Sequence, residues 1–390
     1  MAQPFVAFPS RRPLIATSVI GALAAGADPL AFAEAQRSPT PKTEKGPVKV
    51  TTVAQNLESP WGLALLPDGR MLVTERPGRL RIVEKSGKLS APLGGIPAVQ
   101  SGGQGGLLDV AVSPTFETDQ LVYFSFSEPG KGGAGTAVAR GKLGSSALEG
   151  VKVIWQQTPK TEGPLHFGSR LVFRTDGTLF ITVGDRFNQR PQVQNLASTI
   201  GKVIRINADG SIPKDNPFVG RSGAKPEIWS YGHRNVQAAT LHPETGALWT
   251  VEHGARGGDE LNQPQAGRNY GWPVITYGID YSGARIGEGT EKAGLEQPVY
   301  YWDPVIAPSG AVFYTGNAFP AWRGDLFIGS MNPGALVHID LEDGRVVKET
   351  RYLSDVAERI RDVQQGADGM LYLLTDSPKG RVLRVEPAGT

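Results

Sequence analysis

Few side chains in this 390-residue sequence are equipped for covalent or proton chemistry. Cysteine is absent, which excludes disulfides, thiolate zinc sites, iron–sulfur clusters and a thiol nucleophile. Five histidines remain, and imidazole is the side chain that titrates near neutrality. One of them, His166, opens the stretch LHFGSRLVFRTDGTLFITVGDR. There a strand-like run, the turn Thr175-Asp176-Gly177 and a second strand lead to Gly184-Asp185. A lone histidine beside a strand is usually structural, so its meaning rests on what else the chain brings to it. Other polar segments also precede strand-like runs. They are Gly103-Gln104-Gly105, Gly232-His233-Arg234-Asn235-Val236-Gln237, Pro304 to Ser309, and Glu358-Arg359-Ile360-Arg361-Asp362. They hold arginines and amides, and guanidinium groups are forked donors for anions.

The elements that must position these residues repeat along the chain. WGLALLPDGRMLVTER begins at Trp61, LLDVAVSPTFETDQLVYFSF at Leu107 and SRLVFRTDGTLFITVGD at Ser169. QAATLHPETGALWTVEHG begins at Gln237, GAVFYTGNAFPAWRGDLFIGSM at Gly310 and RDVQQGADGMLYLLTDS at Arg361. Each is an alternating strand, a turn often of Asp-Gly type, and a second strand rich in Val, Leu, Ile, Phe or Tyr. Period-two alternation buries one strand face, and Asp-Gly supplies tight-turn geometry. The units recur about every 60 residues. Leu80 to Val83, Gly201 to Ile206 and Val382 to Val385 read as further strands, and no long helical periodicity occurs. The pattern predicts an all-β, six-bladed β-propeller with four-stranded antiparallel blades, each burying its faces against its neighbours. A sandwich or a pair of barrels does not explain the sixfold recurrence. Equivalent positions then face one axis, so His166, the arginines and the amides should meet around one cavity.

Gly 50 and Pro 30 suit a chain with many turns, and the formal charge of +2 carries no basic stripe for nucleic acid. The N-terminus has the three parts of an export signal. Ser10-Arg11-Arg12 precedes an apolar stretch from Leu14 to about Ala25, followed by Ala31-Phe32-Ala33. The Ser-Arg-Arg-x-Leu-Ile order is similar to a twin-arginine signal, with the Sec route also open. The expected organisation is a signal peptide at 1–33, a solvated lead-in at 34–49 and one propeller domain at 50–390. That implies a periplasmic or secreted protein without a membrane span, either a monomer or a homodimer.

The motifs PWGLALLPDG, GGQGGLLDVA, LHFGSRLVF, GHRNVQ, EHGARGGDELN, GRNYGWP and RIRDV resemble those of the soluble pyrroloquinoline quinone (PQQ)-dependent sugar dehydrogenases, the glucose/sorbosone dehydrogenase family. The aldose sugar dehydrogenase branch is the nearest in pattern, and the resemblance runs from about Val50 to Pro387. It implies an oxidoreductase that converts the anomeric carbon of aldoses to aldonolactones and passes electrons to a separate acceptor. It implies His166 as general base, Asp185 as its orienting partner and Arg234 as the charge near the reacting carbonyl. Gln104, Asn235, Gln237, Asn332, Arg359 and Arg361 match the quinone's surroundings. Asn332 stands where glucose-type relatives carry lysine. The spacing of Arg359 and Arg361 puts both on one strand face. The glycines around Gln104 are expected to let the backbone approach a flat ligand. The carbonyls of Gly254 and Ala255 match ligands of a Ca2+ ion that also meets PQQ, and Glu260 and Tyr270 match a second, structural Ca2+ site. Asp259 beside them reads as a turn residue or a ligand aid, and His233 as structural. A calcium-dependent lactonase and a non-enzymatic binding propeller stand as alternative readings of the same architecture.

Overall fold

A computed structural model describes residues 35–37, 42–43, 48–356 and 358–388. The signal expected at 1–33 lies outside the described residues. Six antiparallel sheets follow one another in chain order as the six blades of a propeller. Blade 1 holds Pro60–Leu65, Met71–Glu75 and Arg79–Val83, and blade 2 holds Leu107–Val112, Leu121–Gly130, Gly133–Leu143 and Leu148–Gln156. Blade 3 holds Leu171–Phe173, Thr178–Val183, Lys202–Asn207 and Ile228–Tyr231, and blade 4 holds Val236–Leu241, Leu248–Glu252, Asp259–Asn262 and Tyr300–Trp302. Blade 5 holds Pro308–Phe313, Leu326–Ser330, Ala335–Glu342 and Arg345–Tyr352. Blade 6 takes Ile360–Gln365, Leu371–Thr375 and Gly380–Pro387 from the end of the chain and Val48–Leu57 from its beginning. Five blades thus have the four expected strands. Blade 1 has three, its fourth position reduced to a bridge between Val83 and Leu89. From the lead-in, Gln36–Arg37 and Lys42–Thr43 add parallel pairs to the outer strands of blades 4 and 5.

The hairpins form where the turn chemistry allows. Gly69 and Gly177, each after an Asp, take φ of 86° and 81°, conformations that a side chain disfavours. Blade 2 lacks such a glycine and turns through a single helical turn, Phe116–Asp119, closed by Gln120 at φ 56°. Alternation places an apolar layer between neighbouring blades. Leu72, Val110 and Phe124 lie between blades 1 and 2, and Trp249, Trp302, Phe313 and Ile328 between blades 4 and 5. No blade buries both faces alone, so each layer holds two blades together.

The first strand of each blade touches the first strands of both neighbours, so these six strands line a closed ring. Five of the six carry a β-bulge near their beginning, at Pro60/Leu63, Leu107/Val110, Val236/Ala238, Ser309/Ala311 and Ile360/Asp362. A bulge turns the extra side chain away from strict alternation.

Arg170, just before the first strand of blade 3 and 3% exposed, crosses this ring. Its Nη1 meets Asp109 of blade 2 at 2.9 Å and Asp362 of blade 6 at 3.1 Å. Its Nε donates to the Gln237 carbonyl of blade 4 at 2.7 Å, and Nη2 to the Arg361 carbonyl at 2.9 Å and to Ser309 Oγ of blade 5 at 3.5 Å. Its guanidinium carbon lies 4.3 Å from the ring of Trp61 in blade 1. Asp109 and Asp362 also clasp the following blades, accepting from Leu171 N at 2.8 Å and Leu63 N at 2.9 Å. Toward the turn end of the inner strands the channel widens into a cavity of about 310 Å³ lined by all six blades. Burial raises the Asp109 carboxyl to about 6, against the pull of Arg170.

Removing the cation strands two buried carboxylates, and breaking a buried pair costs roughly 3–5 kcal/mol. Arg170→Met is therefore expected to lower the free energy of urea unfolding by about that amount. An unchanged midpoint and slope would show that the hub contributes nothing to stability.

Candidate active site

The site is built at the beginnings of the inner strands. His166 has φ 54°, and its backbone is held by Gln104 Oε1, which accepts from His166 N at 2.9 Å. Gly184 lies so close that an added Cβ would be 2.3 Å from the His166 carbonyl oxygen, so the second strand passes directly beneath the histidine. The next residue, Asp185, places Oδ1 2.6 Å from His166 Nδ1. Asp185 also accepts from Phe187 N at 2.7 Å and, through Oδ2, from Trp272 Nε1 at 2.8 Å. Burial opposes charge on Asp185, yet the bond from His166 and the nearby cations keep its pKa below the ordinary carboxylate value. An ionised Asp185 makes Nδ1 the protonated ring nitrogen and leaves the lone pair on Nε2. For His166, burial is the largest influence and lowers the pKa below 6.5, with Asp185 opposing and Arg234 assisting. The ring is therefore a neutral base at neutral pH.

Arg234 approaches from blade 4. Its backbone N donates to Glu252 Oε2 at 2.6 Å, and its carbonyl accepts from Asp185 N at 2.8 Å, which ties it to the base. Nη1 donates to the carbonyls of His253, at 3.0 Å, and Gly254, and the guanidinium carbon lies 5.3 Å from the Trp272 ring. Asn235 Oδ1 accepts from Gly168 N at 3.1 Å, beside the histidine. Gln237 Oε1 accepts from Arg361 Nη1 at 2.9 Å. The inner-strand beginnings thus gather Gln104, Arg234 and Asn235 around His166, while Gln237 and Arg361 form a pair of their own on the same ring of strands.

Two expectations are corrected. Arg359 and Arg361 do not share a face through plain alternation. Arg359 precedes the strand, and Arg361 falls in the bulge between Ile360 and Asp362. They are brought together by Asp376, at 2.7 Å from Arg359 Nη2 and 3.0 Å from Arg361 Nη2. Burial disfavours that carboxylate, but the two guanidiniums hold its pKa below the ordinary value. Burial also lowers Arg361 to about 10. The second correction concerns the glycines around Gln104. An added Cβ at Gly103 would lie 2.6 Å from Pro164, and at Gly106 2.3 Å from the Arg76 carbonyl oxygen. At these two positions the protein itself fills the space, whereas an added Cβ at Gly102 would meet nothing within 4 Å.

Asn332 is exposed, next to Met331, whose carbonyl accepts from Arg359 Nη1 at 3.2 Å. Ala255 is buried behind Gly254. Asp259 is a structural anchor, accepting from Gly254 N at 2.7 Å and from Ile306 N and Ala307 N at 2.8 Å each. Glu260 pairs across the strands with Glu252 and accepts from Asn262 Nδ2 at 3.2 Å. Burial and the charge of Glu252 push Glu260 well above the usual carboxylate range. His233 is structural, between Ser230 Oγ at 2.9 Å and Glu252 Oε1 at 2.9 Å. Its ring stacks on Tyr270 at 4.9 Å, and the Tyr270 hydroxyl donates to the Gln263 carbonyl. Among the described residues no three His, Cys, Asp or Glu converge as a ready-made cation cage.

Arg234 Nε, Asn235 Nδ2 and Arg361 Nε are buried donor nitrogens without a protein partner. Unpaired buried donors are costly. Such a set suits an acceptor-rich anionic ligand, the chemistry of a planar tricarboxylate. The carbonyls of His253 and Gly254 already face a cation, Arg234 Nη1. Buried Glu252 and half-buried Glu260, beside a partnerless Asn262 Oδ1, likewise suit a hard metal ion. Sequence reading had no role for Trp272, Asp376 or Glu252. The signal for Asp376 and Glu252 lay in the chain, since each is the acid at the end of a second strand, as Asp185 nearly is.

The Glucose / Sorbosone dehydrogenase family profile matches residues 57–384, and the chain belongs to this family. Aldose sugar dehydrogenase YliI of Escherichia coli (strain K12) is 47% identical over 346 residues, covering 87% of this chain and 93% of that protein. The apo-form of the soluble aldose sugar dehydrogenase from Escherichia coli superposes with a TM-score of 0.85 at 46% identity, covering 87% of this chain and 99% of that one. The PQQ-bound form of the aldose sugar dehydrogenase from Streptomyces coelicolor has a TM-score of 0.72 at 27% identity, covering 89% and 100%.

An NMR titration of the His166 ring should give a pKa below 6.5. Asp185→Asn, which removes the favourable carboxylate, should lower it further. A rise would show that Asp185 does not support the imidazolium form.

Proposed function

We propose that the protein is a PQQ-dependent aldose dehydrogenase that oxidises the anomeric carbon to an aldonolactone. The observation that carries this reading is the His166–Asp185 pair at 2.6 Å, whose free Nε2 belongs to the same bonded region as Arg234. The names of the relatives support it, as do the buried, partnerless nitrogens of Arg234, Asn235 and Arg361. When bound, PQQ supplies the hydride acceptor and calcium a Lewis acid beside it. Gln104, Asn235, Gln237, Asn332, Arg359 and Arg361 would surround the quinone. The carbonyls of Gly254 and Ala255 would hold one calcium ion, and Glu260 and Tyr270 a second.

The chain's own contribution is placement and proton transfer. His166 Nε2 takes the proton of the anomeric hydroxyl as the C1 hydride departs, and Asp185 stabilises the imidazolium that forms. Arg234 brings fixed positive charge to the same corner, where negative charge builds during the transfer. Trp272 holds the second oxygen of Asp185, so the carboxylate cannot turn away from the ring. Without cysteine there is no covalent haem attachment of the C-x-x-C-H type, so electrons leave to a separate acceptor. The N-terminal leader supports export, and among the described residues no helix is long and apolar enough to cross a membrane.

Apoprotein given PQQ and Ca2+ should reduce an artificial dye when an aldose is added, and chelation should abolish this. His166→Gln should lose turnover while still taking up the quinone. The acid limb of the kcat/KM profile should fall below pH 6.5, because His166 stays neutral to lower pH than a free imidazole. Acid release from a lactone without added quinone, and no dye reduction, would instead assign a calcium-dependent hydrolase.

A further inference from the structure

Two long loops meet at the histidine–arginine pair. One joins Val183 to Lys202 in blade 3, and the other joins Asn262 to Tyr300 in blade 4. They are tied together by Arg190 Nη2 and Asp280 Oδ2 at 3.0 Å, with the Arg190 guanidinium 5.4 Å from the Trp272 ring. The first loop holds Phe187 at φ 61°, directly after Arg186 at φ 55°. Two successive non-glycine residues in the left-handed region are strained, and such strain persists where the surroundings impose it. Asp185 imposes it here by accepting from Phe187 N at 2.7 Å. The Phe187 ring then stands edge-on to His166, with centroids 5.3 Å apart.

The second loop presents Tyr281, 58% exposed, with its hydroxyl 3.4 Å from Arg234 Nη2. The Tyr281 and Phe187 rings are inclined by 27° with centroids 6.5 Å apart. Ile279, 41% exposed, stands two residues away, fixed by a pair of 3.0 Å backbone bonds with Arg256. One ring therefore touches the base and the other touches the arginine, with Phe187 half-buried and Tyr281 exposed. His166 and Arg234 are each held by other partners, so a half-buried phenylalanine beside an exposed tyrosine is not needed to build them. Exposed apolar groups gathered at a site mark a ligand surface.

We propose that Phe187 and Tyr281, with Ile279 beside them, form the platform for the pyranose ring of the substrate. A pyranose carries its hydroxyls around the rim and C–H groups on its faces, so an aromatic face receives it while the anomeric hydroxyl meets His166 Nε2. The tricarboxylate cofactor is matched by the guanidinium and amide nitrogens, leaving the uncharged rings to the sugar. This assignment rests on the aldose dehydrogenase reading above.

The test uses the PQQ- and Ca2+-reconstituted protein with aldoses and a dye. Tyr281→Ala and Phe187→Leu should each raise KM for the sugar roughly fivefold to tenfold, with kcat changed less. Tyr281→Phe keeps the ring but loses the hydroxyl near Arg234, and should recover most of the affinity lost in Tyr281→Ala. Quinone uptake, followed by tryptophan fluorescence, should be the same in all variants. Sugar KM unchanged in both Tyr281→Ala and Phe187→Leu overturns the platform and leaves the dehydrogenase reading intact. A rise in KM for the dye alone also overturns it, assigning the surface to the electron acceptor. A reconstituted wild type inert toward every aldose overturns the dehydrogenase reading, and the platform falls with it.

Discussion

One guanidinium meets all the other blades. Arg170 belongs to blade 3 and contacts Trp61, Asp109, the Gln237 carbonyl, Ser309 and Asp362, one from each remaining blade. Apolar layers hold neighbouring blades together, but a layer between two sheets resists sliding only weakly. A buried cation with directional bonds to opposite sides of the ring fixes all six at once. Each of its carboxylate partners in turn accepts a backbone N–H from the next blade, so the charges at the axis set the stagger of the strands around them. The bulged beginnings of the inner strands then project Gln237 and Arg361 from a frame that cannot drift.

A second regularity lies at the rim. In four blades an acid at or just after the end of the second strand secures the approach to the first. Glu75 takes the backbone N–H of Glu58 at 2.6 Å, and Asp185 takes the His166 ring at 2.6 Å. Glu252 takes the backbone N–H of Arg234 at 2.6 Å, and Asp376 takes both Arg359 and Arg361. The histidine–aspartate pair is thus one use of a device that the fold repeats for its own assembly. Blade 3 differs in what its imidazole keeps free, because His233 on Glu252 commits its other ring nitrogen to Ser230 Oγ, whereas His166 is held through Nδ1 alone.

This repetition explains how much the sequence revealed. Hairpins were legible because Asp-Gly turns and period-two alternation are local. The approach of Arg234 to the His166–Asp185 pair, and that of Gln237 to Arg361, followed from their equivalent places in separate units. Arg170 was not legible, because its partners come from all five other blades and SRLVF reads as an ordinary strand beginning. The bulges were equally hidden, since an extra residue leaves no mark on a hydrophobic pattern, and the shared strand face expected for Arg359 and Arg361 failed for that reason. Trp272, Phe187 and Tyr281 sit in irregular loops, where no periodicity says which side chain turns inward.

The sixth sheet is stitched from segments more than 300 residues apart in the chain, with Val48 opposite Pro387 and Leu57 opposite Gly380. Until translation delivers the last of these residues, the segment at Val48–Leu57 has no complement and the toroid stays open. The sheet that carries Arg361 is therefore completed late in the life of the nascent chain. The same closure seats Val48 directly across from Pro387. A short peptide joining them would turn the clasp into an ordinary hairpin and free the chain to be cut at an outer loop elsewhere.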